Sequence, residues 1–418
     1  MIALHNASML DWLADYDGLL FDSCVCDPPY ELGFMGKSWD NTGIAFQVET
    51  WRRVYDALKP GAHLVAFSGT RTYHRMACAI EDAGFEIRDQ LAWAYGSGFP
   101  KSHDVSKAID RAAGAEREVV GRKADFAKFN SAGYGKSVVN VAARQSREVA
   151  GMETAPATPD AQKWQGWGSA LKPAWEPICL ARKPLAEKNI AANVLAHGTG
   201  AINVDACRVA GAKASGSGMQ PFSAGGVRQD NGGAASNKRH GDFDLSLGRF
   251  PANLLHDGSE DVLAGFPETT SNPGRLATDV QQTNIAIAPV RPAGTLLSEG
   301  DSGSAARFFY SAKAGPLDRI GTAHATVKPV DLMRWLCRLV TPPGGHILEP
   351  FAGSGTTGIA AMAEGFDCTM IELLAEHAAD IERKLAFLRG EGGVGVMERH
   401  KARIDRGRDE GAGPLFAA

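Results

Sequence analysis

Two periodicities share the N-terminal hundred residues. Apolar runs at Ile2–Leu4, Leu19–Cys26, Leu64–Phe67 and Phe85–Ala94 are short and bounded by Gly, Pro and Asp, which predicts strands. Between them, Ser8–Asp15, Phe46–Leu58 and Tyr73–Ala83 carry apolar positions at helical spacing. Lys59-Pro60-Gly61 predicts the end of the second helix and Gly84 that of the third. The alternation returns late in the chain. Leu332–Leu339 is amphipathic, His346–Leu348 strand-like, Thr356–Ala363 helix-like, another apolar stretch ends at Glu372, and a helix is expected over about Leu373–Leu388. Strands and helices alternating at this spacing predict a parallel α/β sheet with its ligand loops at strand carboxyl ends.

The middle of the chain differs. Lys101 to about Gly168 is polar and Ala/Gly-rich, with helix expected near Val105–Ala113 and little apolar periodicity after Gly121. Gly211–Gly241 and Pro267–Ser304 are Gly, Ser and Pro rich and predict loops. Arg249–His256 between them reads as a compact, ordered piece, and no internal repeat stands out.

Asp27-Pro28-Pro29-Tyr30 closes the run Cys24–Cys26. A carboxylate and a nearby backbone carbonyl can together accept both hydrogens of one NH₂ group. Two prolines stiffen the turn and remove backbone donors, and the tyrosine offers a face for stacking. As a bare tetrapeptide, the segment reads first as strand-ending punctuation, and only a second motif turns the reading to function.

A second motif lies more than three hundred residues later, in Glu349-Pro350-Phe351-Ala352-Gly353-Ser354-Gly355-Thr356-Thr357. Gly353, Gly355 and Gly358 satisfy G-x-G-x-x-G between a predicted strand and a predicted helix, and Glu372 follows at the next strand end. Such glycines permit a sharp turn and close ligand approach, and the acid can take ribose hydroxyls. NAD, FAD and S-adenosylmethionine share this chemistry. Only 46 residues follow Glu372, too few for a second dinucleotide half, and no Gly-Lys-Ser/Thr marks a phosphate loop. S-adenosylmethionine, with a ribose and no phosphate, fits best.

Together the two motifs resemble the DNA amino-methyltransferases, which methylate adenine N6 or cytosine N4. The catalytic motif precedes the cofactor motif, as in the permutation called β. His324–Val330 resembles the family's segment before the glycine loop, and Leu58–Val65 its helix-turn-strand after the catalytic loop. Trp93–Lys101 resembles the lining of the flipped-base pocket, and Pro173–Lys183 a late strand displaced by an insertion. The resemblance implies an α/β fold with a doubly wound, mostly parallel sheet of the Rossmann-like methyltransferase type, circularly permuted, with a loop-rich inserted target-recognition region. It divides the chain into 1–105 (catalytic half), 106–170 (polar insertion), 171–185 (late strand), 186–318 (target recognition), 319–390 (cofactor half) and 391–418 (charged tail).

By the same resemblance Asp27, Pro28, Pro29 and Tyr30 are catalytic, and Lys328, Glu349, Phe351, Gly353, Ser354, Gly355, Thr356 and Glu372 bind S-adenosylmethionine. Double-stranded DNA is the partner, and Arg71, Tyr73, His74, Arg75, Phe99 and Lys101 are candidate contacts. A homodimer is compatible with the family, whose members include phage and prophage enzymes. Asp first and Tyr fourth in the catalytic motif resemble adenine-N6 enzymes; cytosine-N4 enzymes more often have Ser first. Three departures stand out: Glu349 for the usual Asp, Ala325 for the usual Pro, and only neutral groups over His5–Ser8, where an acid is common.

Composition sets outer limits. The chain of 418 residues is 44% apolar, enough for a sizeable core and more than one domain. No apolar run of membrane length and no basic-plus-apolar leader appears, so a cytoplasmic location is expected. Seven scattered cysteines without CxxC, of which Cys24, Cys26 and Cys368 read as buried thiols, and dispersed histidines predict no metal. A net charge of −4 argues against indiscriminate nucleic-acid binding, although a cleft can be locally basic. Three alternatives stay open: an RNA or protein methyltransferase, a non-catalytic DNA-binding relative, and a nicotinamide oxidoreductase.

Overall fold

The computed structural model describes residues 1–33, 40–96, 98, 102–122, 152–209, 248–271, 274–275, 296–298, 301–312, 315–319, 327–390, 393, 395–396 and 398–399. The chain divides into a larger unit, 1–96 with 175–418, and a smaller one, 97–174.

The strands are β1 (Ile2–Asn6), β2 (Phe21–Cys26), β3 (Leu58–Phe67), β4 (Glu86–Ala94), β5 (Val119–Arg122), β6 (Met152–Thr154), β7 (Trp175–Arg182), β8 (Leu254–His256), β9 (Glu268–Ser271), β10 (Gly274–Arg275), β11 (Leu296–Ser298), β12 (Asp301–Ser304), β13 (Tyr310–Ser311), β14 (His346–Glu349) and β15 (Asp367–Glu372). The helices are α1 (Met9–Ala14), α2 (Val48–Ala57), α3 (Tyr73–Asp82), α4 (Val105–Ala112), α5 (Pro159–Lys163), α6 (Ile190–His197), α7 (Glu260–Leu263), α8 (Val330–Val340), α9 (Thr356–Glu364) and α10 (Ala375–Arg389).

Among the described residues nine strands form one sheet in the order β1-β15-β14-β2-β3-β7-β4-β8-β13. All run parallel except β7, which is antiparallel to both β3 and β4. Every residue of β2 is buried, as expected of a central strand covered on both faces. Successive side chains of a strand point to opposite faces. Val25, Val65 and Phe67 accordingly join one apolar cluster with α8 and α9, while Cys24, Cys26, Leu64 and Ala66 join a second with Trp51, Met76 and Ile80 of α2 and α3. The sheet is therefore wound on both sides.

Register positions the site. Leu348 of β14 pairs with Cys24 of β2 in parallel, so the loops that follow these two strands emerge side by side. Asn6 pairs with Glu372, and its side-chain amide donates to the Glu372 carbonyl at 2.8 Å, which fastens β1 to the end of β15. Because β7 runs backwards, its first residues, Trp175 and Glu176, lie at the edge where its neighbours end.

Three local expectations shifted. Lys59-Pro60-Gly61 does not form a turn after α2: the chain passes directly into β3, and the Pro60 carbonyl accepts from Asn193 and Thr199 instead. Within the stretch expected to read DNA, β8 and β13 extend the central sheet, with β8 paired to β4. In the smaller unit, buried Asp110 accepts from Ala157 N, Thr158 N and Thr158 Oγ1 at 3.0, 3.0 and 2.8 Å, and from Arg117 at 2.5 Å, an ordered centre within a segment whose sequence is mostly polar.

Candidate active site

Asp27 leaves the buried end of β2, and its carboxylate is divided. Oδ2 accepts from Lys328 Nζ at 2.7 Å, whereas Oδ1 is buried with no hydrogen-bond partner among the described residues. A buried carboxylate oxygen left unsatisfied costs free energy and is a ready acceptor for an incoming N–H. The Lys328 ammonium is fully used: its three protons face Asp27 Oδ2, Tyr30 Oη at 3.0 Å and Glu176 Oε2 at 3.3 Å. Tyr30 in turn donates to Glu176 Oε2 at 2.8 Å, and Tyr95 also bonds Glu176. Burial pulls the Lys328 ammonium down, but Asp27 and Glu176 outweigh it and hold the group above the ordinary lysine range. Burial, then Asp27 and Glu176, push the Tyr30 phenol well above its ordinary value, so it stays protonated.

The turn after the motif is held tightly. Thr72 Oγ1 donates to the Tyr30 carbonyl at 2.8 Å. Glu31 adopts a positive φ of 56°, a costly conformation for a non-glycine residue. Asp40, buried, accepts from Glu31 N at 2.9 Å, and Glu31 Oε2 accepts from Gly43 N at 2.7 Å. These bonds offset the strain and aim the loop.

The glycine loop is built from the strands beside it. Glu372 Oε2 accepts from Gly353 N at 2.7 Å and Oε1 from Leu374 N at 2.9 Å, leaving each oxygen a second lone pair. Gly355 has φ 74°, and a Cβ there would press on Ile381 at 3.0 Å. Gly358 packs α9 so closely on β15 that a Cβ would overlap Met370. Glu349 is buried inside the loop, accepting from Phe351 N at 2.9 Å and Thr357 Oγ1 at 2.5 Å. Its carboxyl is pushed well above the ordinary range by burial, against the pull of those two bonds. Beneath the loop Lys384 donates to the Ser354 and Asp318 carbonyls, both at 3.3 Å. Burial lowers that lysine to about 8, partly opposed by Asp318 and Asp380.

The expected residues thus divide. Asp27 and Tyr30 meet in one cluster, and Lys328, expected on the cofactor, sits in that cluster instead. Gly353, Gly355 and Glu372 share the glycine loop, Ser354 and Thr356 bond each other at 2.8 Å, and half-buried Phe351 lies 6.4 Å from the ring of Trp51. Glu349 holds the loop together from inside. Arg71, His74 and Arg75 are exposed where α3 begins, next to the catalytic turn. Tyr73 differs: half-buried, it bonds Cys179 and faces the core. Phe99 and Lys101 lie outside the described residues.

Glu176 and Lys384 were not read from the sequence as site residues. Glu176 is the only acid in β7, an otherwise apolar strand with one arginine. Lys384 falls on the buried face of α10 with Ala378, Ile381, Leu385 and Leu388. Each was visible as a charge on an apolar face. Among the described residues no group of His, Cys, Asp and Glu is arranged to hold a metal, and no helix is long and apolar enough to cross a membrane.

The sequence model of the DNA methylase family matches residues 21–131 and 295–383, the stretches that carry the two loops and Lys328. The type II methyltransferase M.HindIII of Haemophilus influenzae is 25% identical over 177 residues, 42% of this chain and 40% of that protein. The chain spans less than half the length of the curated relatives it matches. Among solved structures, PvuII DNA methyltransferase (cytosine-N4-specific) aligns over 98% of this chain and 93% of its own at 14% identity and TM-score 0.44. The M1.HpyAVI–SAM complex aligns over 92% and 99% at 14% identity and TM-score 0.40. The chain is thus similar to the DNA methylase family over the two stretches that carry the Asp-Pro-Pro-Tyr loop and the glycine loop, with the Asp-Pro-Pro-Tyr motif first in the sequence.

Proposed function

We propose that this protein methylates the exocyclic amine of a base flipped out of duplex DNA, adenine N6 being the preferred target, with S-adenosylmethionine as methyl donor. One observation carries the reading: Asp27 presents a buried, unpartnered oxygen beside the glycine loop, while its other oxygen is fixed by Lys328. An amine donating to that oxygen and to the Pro28 carbonyl has its lone pair turned away from both acceptors.

The residues fit the cofactor. Glu372 retains lone pairs for two ribose hydroxyls, and Gly353 and Gly355 supply the positive-φ turn that opens the helix after β14. When bound, S-adenosylmethionine supplies an electrophilic methyl on a sulfonium. Asp27 orients the amine and stabilises it as it becomes cationic, and Tyr30 stacks on the base. Flipping costs roughly a few kcal/mol of lost stacking and pairing, returned by such contacts. Arg71, His74 and Arg75 supply exposed charge for the DNA backbone next to the catalytic turn.

Nucleoside mass spectrometry on DNA from methylation-deficient cells expressing the protein tests this, with Asp27→Ala as control. N6-methyladenine present only with the intact chain supports it. N4-methylcytosine instead keeps the mechanism and changes the base, and neither mark, from folded protein, overturns the reading.

A further inference from the structure

We infer that Glu176 is a charge-setting residue of the transfer step: it gives the catalytic cluster one net negative charge and aims it, through Tyr30 and Lys328, at the reacting amine. The inference rests on the proposed amine methylation and goes beyond the two motifs that suggest it.

The count of charges is simple. Asp27 and Glu176 are carboxylates, Lys328 is an ammonium, and Tyr30 and Tyr95 are protonated phenols. Lys328 lies between the two carboxylates, 2.7 Å from one and 3.3 Å from the other. One cation therefore serves two anions. Without Glu176, Lys328 would neutralise Asp27, and the oxygen left for the amine would belong to a charge-balanced pair. With Glu176 sharing the ammonium, Asp27 retains part of its negative potential.

That potential matters at one moment. As the amine nitrogen bonds to the methyl carbon, the carbon–sulfur bond breaks and the positive charge passes from sulfur to nitrogen; the nitrogen then sheds one proton to solvent. Charge thus moves toward the Asp27–Glu176 side, where a net negative cluster with little solvent access lowers the barrier. Burial is sufficient for this: the side chains of Lys328, Glu176 and Asp27 are 9%, 18% and 22% exposed.

The fold explains why Glu176 can do so. It is the second residue of β7, which among the described strands of the sheet alone runs antiparallel, the direction that brings the start of a strand to the edge where the loop after β2 begins. Among the described residues its polar contacts are with donors: Tyr30 Oη, Tyr95 Oη and Lys328 Nζ. A glutamine in this place can keep an acceptor oxygen toward them while removing the charge, so position and charge separate experimentally.

The test compares full-length wild type, Glu176→Gln, Glu176→Asp, Tyr30→Phe and the Glu176→Gln/Tyr30→Phe double variant. Steady-state transfer of labelled methyl to DNA is measured across pH, with cofactor affinity by calorimetry. Glu176→Gln is expected to lower kcat at least tenfold with KM for S-adenosylmethionine within about twofold, and to move the acid limb of the pH–kcat profile. Glu176→Asp should recover part of the rate. The double variant should be clearly slower than Tyr30→Phe alone. An active wild type with kcat of Glu176→Gln within twofold overturns the inference and leaves amine methylation standing. So does a double variant no slower than Tyr30→Phe, which would reduce Glu176 to a support for the tyrosine. If folded wild type methylates no DNA, the proposed function falls and this inference with it.

Discussion

Lys328 and Asp27 stand 301 positions apart in sequence and meet at 2.7 Å, an ion pair between the loop that precedes the C-terminal half and the loop that closes β2. The pair joins two segments distant in sequence. On the proposed function it also orients the acid, since one oxygen is held and the other left for the amine. Asp27→Asn would set an NH₂ against the incoming NH₂. We expect kcat to fall by about a hundredfold or more, the scale found when one preorganised partner of a developing charge is lost. Thermal unfolding and methyl transfer measured together check that the loss is chemical.

Lys328→Met removes the one cation shared by Asp27 and Glu176. Two carboxylates facing each other without a counterion resist ionising together. The acid limb of the pH–kcat profile should therefore move to higher pH and kcat should fall at neutral pH. A profile with an unmoved acid limb would contradict this arrangement.

Glu372→Ala removes the carboxylate that holds Gly353 N and Leu374 N and retains lone pairs for a ribose. Cofactor affinity should drop at least tenfold while affinity for DNA changes little. Calorimetry with S-adenosylmethionine and fluorescence anisotropy with a DNA duplex separate the two. Equal weakening of both would count against the assignment.

Gly358→Ala sets helix propensity against packing. Alanine gains up to about 1 kcal/mol in a helix interior. Its Cβ would overlap the sulfur and terminal methyl of Met370, and overpacking of this kind costs about 1–3 kcal/mol. Packing should win, with a net loss of about 1–2 kcal/mol in urea unfolding; a stabilised variant would show that β15 yields more easily than its burial suggests.

Lys384 carries a pH signature. Burial brings it from 10.5 down to about 8 in the folded chain. Between those two values the unfolded chain binds more protons, so this group makes stability rise with pH across that window. Below about 8 both states are charged and the fold bears the full cost of burying the ammonium. Lys384→Met removes that component, so the stability of wild type relative to the variant should rise from pH 8 to pH 10. The variant should also bind cofactor more weakly, because the Ser354 carbonyl loses its donor. Urea unfolding at several pH values checks the first expectation, and cofactor titration the second.

Much of the fold was legible in periodicity. The expected helix over Tyr73–Ala83 became α3 over Tyr73–Asp82, and the strand over Phe85–Ala94 became β4 over Glu86–Ala94. Lys-Pro-Gly follows the end of α2 as expected but lies in β3 rather than in a turn, because the start of the strand can carry Pro60 and its carbonyl finds Asn193 and Thr199. β8 was harder: three residues, Leu254–His256, carry too little pattern, and only pairing with β4 makes them a strand.

Chemistry carried by neighbouring residues was readable from the chain by itself. An acid before two prolines, and glycines between a strand and a helix, mark the proposed amine site and cofactor turn because their geometry is set within a few bonds. Tertiary structure alone decided which distant groups share a cavity. Lys328 went to Asp27, Tyr73 turned inward to Cys179, and Glu176 reached the site because β7 runs against its neighbours. Strand order and direction follow from burying both faces of the whole sheet at once, and no local window of sequence contains that sum.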